Sequence, residues 1–454
     1  MRPYPGGICG LDRGWRQCRA GLIGIAVRPG DGNRVTGDSM SRRIVIVGGG
    51  IVGVCNALAL QRAGHSVTLV DRTTPGRETS YGNAGVLSES SIGVLNNPGL
   101  LASLPKLLMG RSNSVRFSPL FVIRRLGWML KFLSYCTTSR WQAAGRALRA
   151  LQTLSLDQHK AWIAEAGVDD LLRYGGWMKA FRTTESFEAY AGELALADEN
   201  GVVYSVFDES QLRQIEPGLK PIYKKAVLYD ETCGVSNPAA LTDAYVAMFV
   251  ESGGTVLQAS VSGLSQGESG WHVGLDGADD LSPDDVVIAA GAWSAEIAGW
   301  VGYDLPLGWE RGYHLHLEPA DGPQLNRAVH DVDGGFAIVP MQQGVRITSG
   351  VEIAHRDAPP DYSQIRRSVA LARDGHEMKG EIEDTPWMGR RPTMVDSLPV
   401  IGPAPRHDGL WFNFGHQHVG LSMAPGSALA ITAMIDGAAP PIDMDPFRAT
   451  RFSI

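Results

Sequence analysis

Cysteine is scarce in this chain of 454 residues. The five cysteines, Cys9, Cys18, Cys55, Cys136 and Cys233, are an odd number and include no C-x-x-C pair. A disulfide framework needs paired cysteines, and a structural zinc site needs closely spaced ligands. Neither is indicated, and a reducing, cytoplasmic compartment is expected.

Excess positive charge and long apolar runs are also missing. The formal net charge is -7, so the sequence carries no basic footprint for nucleic acid. The apolar run from Ala20 to Val27 ends at Arg28 and is too short to cross a bilayer. Residues 1–39 are predicted to be a disordered extension, because Met40 stands just before the first regular segment.

A strand, a glycine turn, a helix and a second strand are predicted between residues 42 and 72. Ile44 to Gly48 are uncharged and rich in β-branched residues, which is typical of a strand buried in a parallel sheet. Ile51 to Ala63 have the composition of a helix, with Gly64 as its C-terminal cap. Val67 to Val70 form a second apolar strand that stops at Asp71.

The turn fits the pattern G-x-G-x-x-G. Gly48 permits the tight turn, Gly50 lets the backbone approach a pyrophosphate, and Gly53 lets the helix pack on the strand. Asp71 is placed to accept hydrogen bonds from an adenosine ribose. A bare glycine-rich turn is the alternative, but the agreement of all the parts favours a dinucleotide site.

The segment E-T-S-Y-G-N-A-G, residues 78–85, follows this fingerprint closely. Together they resemble the D-amino-acid dehydrogenase branch of the FAD-dependent amine oxidoreductases, the D-amino-acid oxidase-like family. The resemblance implies that FAD is the cofactor and that this segment wraps the flavin and its phosphate-bearing chain. The alternative is a surface loop whose polar groups are satisfied locally.

Two C-terminal segments extend the resemblance. G-R-R-P-T-M-V-D-S-L-P-V-I-G, residues 389–402, implies that Arg391 binds a substrate carboxylate, with Arg390 as the alternative. A guanidinium suits this role because its planar fork grips a carboxylate with two hydrogen bonds. G-H-Q-H-V-G, residues 415–420, opens a last helix whose dipole would face the flavin, with Pro425 in its first turn. His416 and His418 would bond the flavin through the backbone or cap the helix.

Further contacts come from a strand at residues 255–261 and from V-V-I-A-A-G-A-W-S, residues 286–294. In the resembling family, segments like these touch the adenine and close over the pyrophosphate. No covalent link to the flavin is expected. The full set of expected FAD contacts is Gly48, Gly50, Ile51, Val52, Gly53, Asp71, Arg72, Thr79, Ser80, Asn83, Ala84, Gly85, Val86, Val261, Ala290, Gly291, Gly415, His418, Val419, Gly420 and Leu421.

Arg311 to Glu318 alternate with a period of two, which predicts a strand. The resembling dehydrogenases carry a G-Y pair here, which implies that Tyr313 reaches the ligand and helps Arg391. His314 and His316 share the other face, which would usually be solvated. They could form a metal pair, but no third ligand is evident and no metal is expected.

Residues 119–133 predict a basic amphipathic helix. Val122, Leu126, Met129 and Leu133 fall on one face, with arginine and lysine among them. Such a helix either faces the core or lies on a membrane surface. The resemblance implies electron transfer to a membrane quinone or another electron-transfer partner, so peripheral binding at the inner face of the plasma membrane is considered.

The predicted fold is α/β, with a doubly wound, Rossmann-like FAD-binding lobe built from discontinuous segments and a mixed α+β substrate-binding lobe. The FAD domain is expected at 41–90, 141–168, 225–305 and 386–454, and the substrate domain at 91–140, 169–224 and 306–385. The expected reaction is oxidative deamination of an amino acid of D configuration or of a cyclic imino acid such as a hydroxyproline, with hydride transfer from Cα to the flavin. The alternatives are a demethylating or oxygen-using amine oxidase of the sarcosine or glycine oxidase type, and a non-catalytic electron-relay subunit.

Overall fold

The computed structural model describes residues 41–101, 113–268 and 270–453. The predicted extension at residues 1–39 therefore lies outside the described residues. The strands within the described part, numbered β1 to β22 in chain order, are Arg43–Val47, Ser66–Asp71, Val86–Leu87, Val115–Phe117, Leu172–Tyr174, Trp177–Phe181, Ser205–Asp208, Lys225–Tyr229, Cys233–Val235, Thr255–Gln258, Ser260–Gly267, Gly270–Asp276, Asp285–Ile288, Leu307–Pro319, Ala328–Asp331, Phe336–Met341, Gly344–Thr348, Val351–Ile353, Met378–Glu381, Trp387–Met394, Val400–Pro403 and Leu410–Phe414.

The α-helices of the same part carry the labels α1 to α11. In chain order they are Ile51–Arg62, Pro119–Arg124, Leu126–Ser134, Thr138–Glu165, Thr184–Glu188, Ala191–Glu199, Glu209–Ile215, Pro238–Glu251, Ser294–Gly299, Ser363–Gly375 and Gly420–Ile435. None of these helices is both long and apolar enough to cross a membrane.

Six strands form a mostly parallel sheet in the order β10-β2-β1-β13-β22-β21. The central strand β1 pairs in parallel with β2 and β13, and its last four residues are buried. Ile44 and Ile46 face a core made with helices, whereas Val45 and Val47 face a second core that includes the β11–β12 hairpin. This confirms the predicted buried parallel strand and the Rossmann-like lobe.

The glycine turn has the predicted geometry. Gly48 has a φ of +111°, and a Cβ on Gly53 would lie 1.8 Å from the oxygen of Gly48. Only glycine fits both positions. Gly48 has a positive φ that side chains disfavour, and at Gly53 a side chain would collide with the main chain of Gly48. The helix that follows ends at Arg62, and Gly64 has a φ of +98°.

The second lobe contains an eleven-stranded mixed sheet in the order β4-β18-β14-β17-β16-β15-β6-β8-β7, with β19 and β20 also paired to β14. Strands β8 and β20 belong to this sheet. The predicted FAD domain included residues 225–305 and 386–454. These segments contain β8 and β20, which the structure places in the large sheet of the second lobe.

Strand β14 confirms the predicted alternation. Tyr313, Leu315 and Leu317 lie in a core cluster with helix α10. His314 and His316 lie on the other face, yet they expose only 2% and 1% of their surfaces. The expectation of a solvated face was wrong, because other side chains of the cavity wall cover it.

The segment at residues 119–134 departs from the single predicted stripe. It forms two helices, α2 and α3, which are separated at Arg125 with φ -121° and ψ 32°. Met129 is buried as expected, but Leu126 is 53% exposed and Trp128 is buried instead. The break rotates α3, so one period cannot describe both helices.

Candidate active site

A cavity of about 890 Å³ lies between the two sheets. One wall is the carboxyl end of the parallel sheet, where ligands bind in doubly wound folds, and the other is one face of the large sheet. The predicted site residues that line the cavity are Gly48, Gly50, Ile51, Val52, Asp71, Arg72, Thr79, Ser80, Asn83, Ala84, Val86, Val261, Ala290, Gly291, Tyr313, Arg391, Gly415, His418, Val419, Gly420 and Leu421.

Gly53 and Gly85 border the cavity only indirectly. Gly53 packs against the oxygen of Gly48, and a Cβ on Gly85 would lie 2.1 Å from the oxygen of Val235. Both glycines hold other parts of the wall in place, since any side chain would push neighbouring backbone aside. The structure shows a packing role for both glycines, and their contact with a cofactor stays a prediction.

The nucleotide end of the cavity is built by the fingerprint. The carboxylate of Asp71 accepts hydrogen bonds from the main-chain N–H groups of Gly49, at 2.6 Å, and Thr73, at 2.8 Å. Ser80 Oγ accepts a hydrogen bond of 2.9 Å from the N–H of Ile51 at the start of α1. The first residues of α1 line the cavity, and a helix N-terminus is a suitable place for a pyrophosphate.

Residues 79–87 tie the two lobes together. Thr79 Oγ1 donates to the oxygen of Arg390 at 2.9 Å, and Asn83 Oδ1 accepts from the N–H of Gly85 at 2.8 Å. Ser422 Oγ donates to the oxygen of Val86 at 2.8 Å. The loop is fixed by specific bonds at both ends, as a loop wrapped around a cofactor requires.

Helix α11 begins at Gly420 and points its N-terminus at the cavity. No side chain caps this end, so its first N–H groups are available to a developing negative charge. Burial lowers the pKa of His416 to about 3 and that of His418 to about 4. Both imidazoles are therefore neutral near pH 7 and unsuited to act as acids there.

Pro425 is placed differently from the expectation of a first-turn proline. It is the sixth residue of α11, so a helical N–H at this position would normally bond to the oxygen of Leu421. His159 Nε2 on helix α4 bonds to that oxygen instead, at 2.8 Å. The missing donor is thus replaced by a side chain from a distant segment.

Arg391 projects from β20 into the cavity. A Cβ on Gly312 would lie 2.2 Å from Arg391 Nη2, so the guanidinium rests directly over the glycine. Within the described residues, the influences on Arg391 are burial, which lowers its pKa, and the charge of Glu310, which raises it. A half-buried guanidinium that makes no hydrogen bond within the described residues is suited to grip a carboxylate.

Arg390 points away from Arg391, as alternation along β20 requires. Its Nε donates to the oxygen of Arg356 at 2.9 Å, and its guanidinium lies 5.6 Å from the ring centre of Trp293. Both arginines line the cavity, but the guanidinium of Arg390 is bonded to Arg356, whereas Arg391 makes no hydrogen bond within the described residues.

Tyr313 is not brought together with Arg391. Its hydroxyl donates to Glu352, which also binds Arg311, and its ring packs against Tyr362. Glu310 and Tyr313 are three residues apart on one strand, so their side chains project from opposite faces, and Arg391 shares the face of Glu310. Tyr313 touches the edge of the cavity, but its hydroxyl is committed to Glu352.

His314 and His316 do meet a third group, Glu383, which the sequence did not reveal. His316 Nδ1 bonds to Glu383, and its Nε2 accepts a hydrogen bond of 3.0 Å from Arg346 Nε. Both ring nitrogens of His316 are therefore used, and a buried guanidinium lies beside them. This geometry favours a hydrogen-bonded cluster over a bound cation.

A row of cross-strand partners runs over the cavity side of the large sheet. Partners on neighbouring strands share a face, so these side chains form one surface. In order they are Trp387, His314, Thr348, Ala337, His330 and Lys179. Lys179 Nζ donates to the hydroxyl of Tyr190 at 2.7 Å.

Sequence reasoning missed Lys179, His330, Trp387 and Glu310. The first three come from separate strands, and only pairing across the sheet brings them together. Glu310 could have been found from the sequence, because it directly precedes the predicted strand and continues its alternation. The strand interpretation began at Arg311 and left it out.

Comparisons with known proteins agree with this geometry. The family model described as DAO, FAD dependent oxidoreductase, matches residues 43–434. A curated relative, the D-amino-acid oxidase of Bradyrhizobium diazoefficiens, is 32% identical over 422 residues, which cover 90% of this chain and 99% of the relative.

Solved structures show the same fold. Glycine oxidase from Geobacillus kaustophilus superposes with a TM-score of 0.71 at 21% identity and covers 91% of this chain and 100% of its own. L-proline dehydrogenase from P. horikoshii gives a TM-score of 0.68 at 18% identity and covers 91% and 98% of the two chains. At these identities the likeness extends to the fold alone.

Proposed function

The chain belongs to the DAO family of FAD-dependent oxidoreductases, and from this premise we propose that it oxidises an amino acid of D configuration or a cyclic imino acid such as a hydroxyproline. Membership of the family makes it an FAD-dependent enzyme that acts on amino acids. The configuration of the substrate is the proposed part. It is supported by the relative named D-amino-acid oxidase, whose likeness extends over most of both chains.

The placement of Arg391 carries the proposal. Its guanidinium is half-buried, lies in the cavity and makes no hydrogen bond within the described residues. A substrate carboxylate gripped there would be held in two directions, so Cα would be fixed in position relative to the cofactor. Tyr313 is left out of this assignment because its hydroxyl is bound to Glu352.

The walls described above fit FAD. The first turn of α1 would hold the pyrophosphate, Asp71 would hold the adenosine ribose, and the start of α11 would face the flavin. When bound, the flavin accepts two electrons and the Cα hydrogen of the substrate as a hydride. The resulting imine takes up water and gives an oxo acid and ammonia, or a ring-opened product from a cyclic substrate.

Neutral groups near Arg391 suit this reaction. His416 and His418 remain unprotonated near pH 7, because burial lowers the pKa of both. A substrate amine therefore meets no added positive charge from these histidines. Positioning of the substrate carboxylate by Arg391 is the contribution that the chain itself makes.

For the electron acceptor, we infer a membrane quinone, which would make the enzyme a peripheral dehydrogenase. The support is a surface on α2 and α3 formed by Ile123, Leu126 and Leu130, which are 75%, 53% and 59% exposed. Residues 113–140 contain arginines and a lysine but no acidic residue. Exposed apolar side chains among basic ones match the surface of an anionic membrane.

A direct test of the reaction is to add substrate to the purified flavoprotein without oxygen. Reduction of the flavin is then measured as a loss of its absorbance. A panel of D-amino acids, L-amino acids, glycine, N-methyl amino acids and hydroxyprolines would be compared. We expect bleaching with the D-configured or cyclic members. Formaldehyde release from N-methyl substrates would instead support a demethylating oxidase, and rapid peroxide formation in air would favour direct use of oxygen.

The role of Arg391 is tested by Arg391→Lys. Loss of the planar fork should raise the substrate concentration for half-maximal bleaching by at least about tenfold, which corresponds to the loss of one charge-assisted hydrogen bond. Arg390→Lys is the matched control, since the guanidinium of Arg390 is already bonded to the oxygen of Arg356. An unchanged requirement for substrate in Arg391→Lys would refute the assignment.

A further inference from the structure

Glu310 and Arg391 are cross-strand partners on β14 and β20. Partners in an antiparallel pair project from the same face, so the carboxylate and the guanidinium share one side of the sheet. Glu310 exposes 1% of its surface, and neither of its carboxylate oxygens has a hydrogen-bond partner within the described residues. Two opposite charges therefore stand close together without being bonded to each other.

The two groups differ in access. Arg391 is half-buried and opens to the cavity, whereas the oxygens of Glu310 have almost no exposed surface. Both residues line the cavity, and Arg391 is the more accessible of the two. A ligand carboxylate would reach Arg391 and would bring its own negative charge close to Glu310.

Three influences set the charge state of Glu310. Burial raises the pKa of its carboxyl group, and the positive charge of Arg391 and the side chain of Thr393 lower it. Burial of an ionised carboxylate is unfavourable unless other groups compensate. The field of Arg391 is the larger of the two influences that favour the ionised form of Glu310.

A bound carboxylate would change this balance. It would neutralise the guanidinium, and its negative charge would repel a second carboxylate nearby. Both effects act in the same direction and favour the protonated form of Glu310. Binding at one group is thus linked to protonation at the other.

We propose that Glu310 is the positioning residue of the Arg391 anion site and that it takes up one proton from solvent when a carboxylate binds Arg391. Ionised Glu310 would balance Arg391 in the absence of substrate, and the substrate carboxylate would replace it as the counter-ion. The proton joins a carboxylate oxygen of Glu310, and no bond to the ligand forms or breaks. The inference rests on the proposed role of Arg391 as the carboxylate anchor.

Other titratable groups near this pair are few. His416 forms a main-chain bridge to Thr393, which follows Arg391 by two residues on β20, and His418 lies within the field of Arg391. Burial lowers the pKa of these histidines to about 3 and about 4. Glu193, whose pKa is raised by burial, lines the same cavity but faces Lys179.

The test uses the holoenzyme and isobutyrate, which has the shape of alanine with a methyl group in place of the amine. Isobutyrate cannot be oxidised at a Cα–N bond and carries no ammonium proton. Its Kd would be followed by the change in flavin absorbance between about pH 6 and 8.5. If binding takes up one proton, Kd rises by up to about tenfold for each unit of increase in pH. This holds in the pH window where Glu310 changes its protonation state.

Glu310→Gln and Glu310→Leu should remove this pH dependence, and both should bind isobutyrate more tightly than the wild type at high pH. Two variants are used because a buried glutamine amide without hydrogen-bond partners could prevent folding. The leucine of Glu310→Leu needs no such partner. Glu193→Gln, a second buried carboxyl group in the same cavity, should keep the wild-type slope. The FAD content of each variant confirms that the site is intact.

The outcomes separate the two proposals. If isobutyrate binds Arg391→Lys as tightly as the wild type, the anchor role of Arg391 fails. If binding requires Arg391 but Kd is independent of pH, or the slope persists in both Glu310 variants, the linkage to Glu310 fails. A slope that disappears only in Glu193→Gln would assign the proton to Glu193.

Discussion

His159 Nε2 donates a hydrogen bond of 2.8 Å to the main-chain oxygen of Leu421 in helix α11. The other ring nitrogen, Nδ1, lies 2.8 Å from the hydroxyl of Tyr245 and accepts from it. Both sides of a buried imidazole are thereby satisfied, and burial lowers its pKa to about 4. The imidazole is thus a neutral link between α4 and the helix that faces the flavin.

Replacing His159 by Phe should destabilise the enzyme by about 1–3 kcal/mol, because the oxygen of Leu421 would be buried without a donor. Urea unfolding of the holoenzyme measures this loss. Pro425→Ala restores a helical N–H for the same oxygen, so His159→Phe should cost less in that background. If His159→Phe lowers the free energy of unfolding equally in the wild type and in Pro425→Ala, the unpaired oxygen of Leu421 is not the cause of the loss.

Several buried histidines predict a loss of stability in acid. The pKa values of His159, His330 and His416 are lowered to about 4, about 3 and about 3, in each case chiefly by burial. The unfolded chain binds these protons near pH 6.5, so stability is complete above that pH and falls as the pH drops toward about 4. Each histidine contributes up to about 1.4 kcal/mol per pH unit within this window.

Unfolding free energies measured between about pH 5 and 7.5 would show this slope. His330→Phe should reduce it, because a phenyl ring cannot take up the proton. His272→Gln removes an exposed histidine and is the control that should leave the slope unchanged. A slope that is identical in His330→Phe and the wild type would contradict the prediction.

Gly312→Ala should weaken substrate binding without loss of FAD. The added Cβ would lie 2.2 Å from Arg391 Nη2 and would force the guanidinium to move. We expect KM to rise by about tenfold or more, with a smaller change in kcat, since the anchor acts in binding and positioning. Gly380→Ala on β19 meets no atom within 4 Å and serves as the control. An unchanged KM would mean that Arg391 does not hold the substrate.

Binding to anionic vesicles should depend on the α2–α3 surface. Replacing Ile123, Leu126 and Leu130 by Ser should reduce the bound fraction several-fold, because the apolar contacts are lost. Binding should also fall as salt is raised, since the flanking basic residues are screened. The matched control is Val206→Ser with Val250→Ser, which removes apolar side chains that are 42% and 49% exposed elsewhere. Equal binding by both variants would exclude this surface.

The sequence was sufficient where structure depends on neighbouring residues. The first strand, the glycine turn and α1 are specified within one short segment. Arg391 could be assigned to the cavity because its motif was recognisable. These features need no knowledge of distant contacts.

Features that depend on distant partners were missed. The hydroxyl of Tyr313 is bound to Glu352 on another strand, and the sequence around Tyr313 does not indicate this contact. Pro425 is tolerated because His159 lies on α4, and Glu383 completes the histidine cluster from beyond β19. In each case the energy comes from a contact that the fold creates.

The bond from Ser422 to Val86 has a consequence for the order of events during synthesis. The oxygen of Val86 accepts a hydrogen bond from the hydroxyl of Ser422, which is 336 residues further along the chain. The last two strands of the parallel sheet, β21 and β22, also come after residue 399. Until the ribosome has released this C-terminal part, the chain has the glycine fingerprint but not the opposite wall. The cavity wall is therefore complete only when residues 400–422 have joined the segments that precede them.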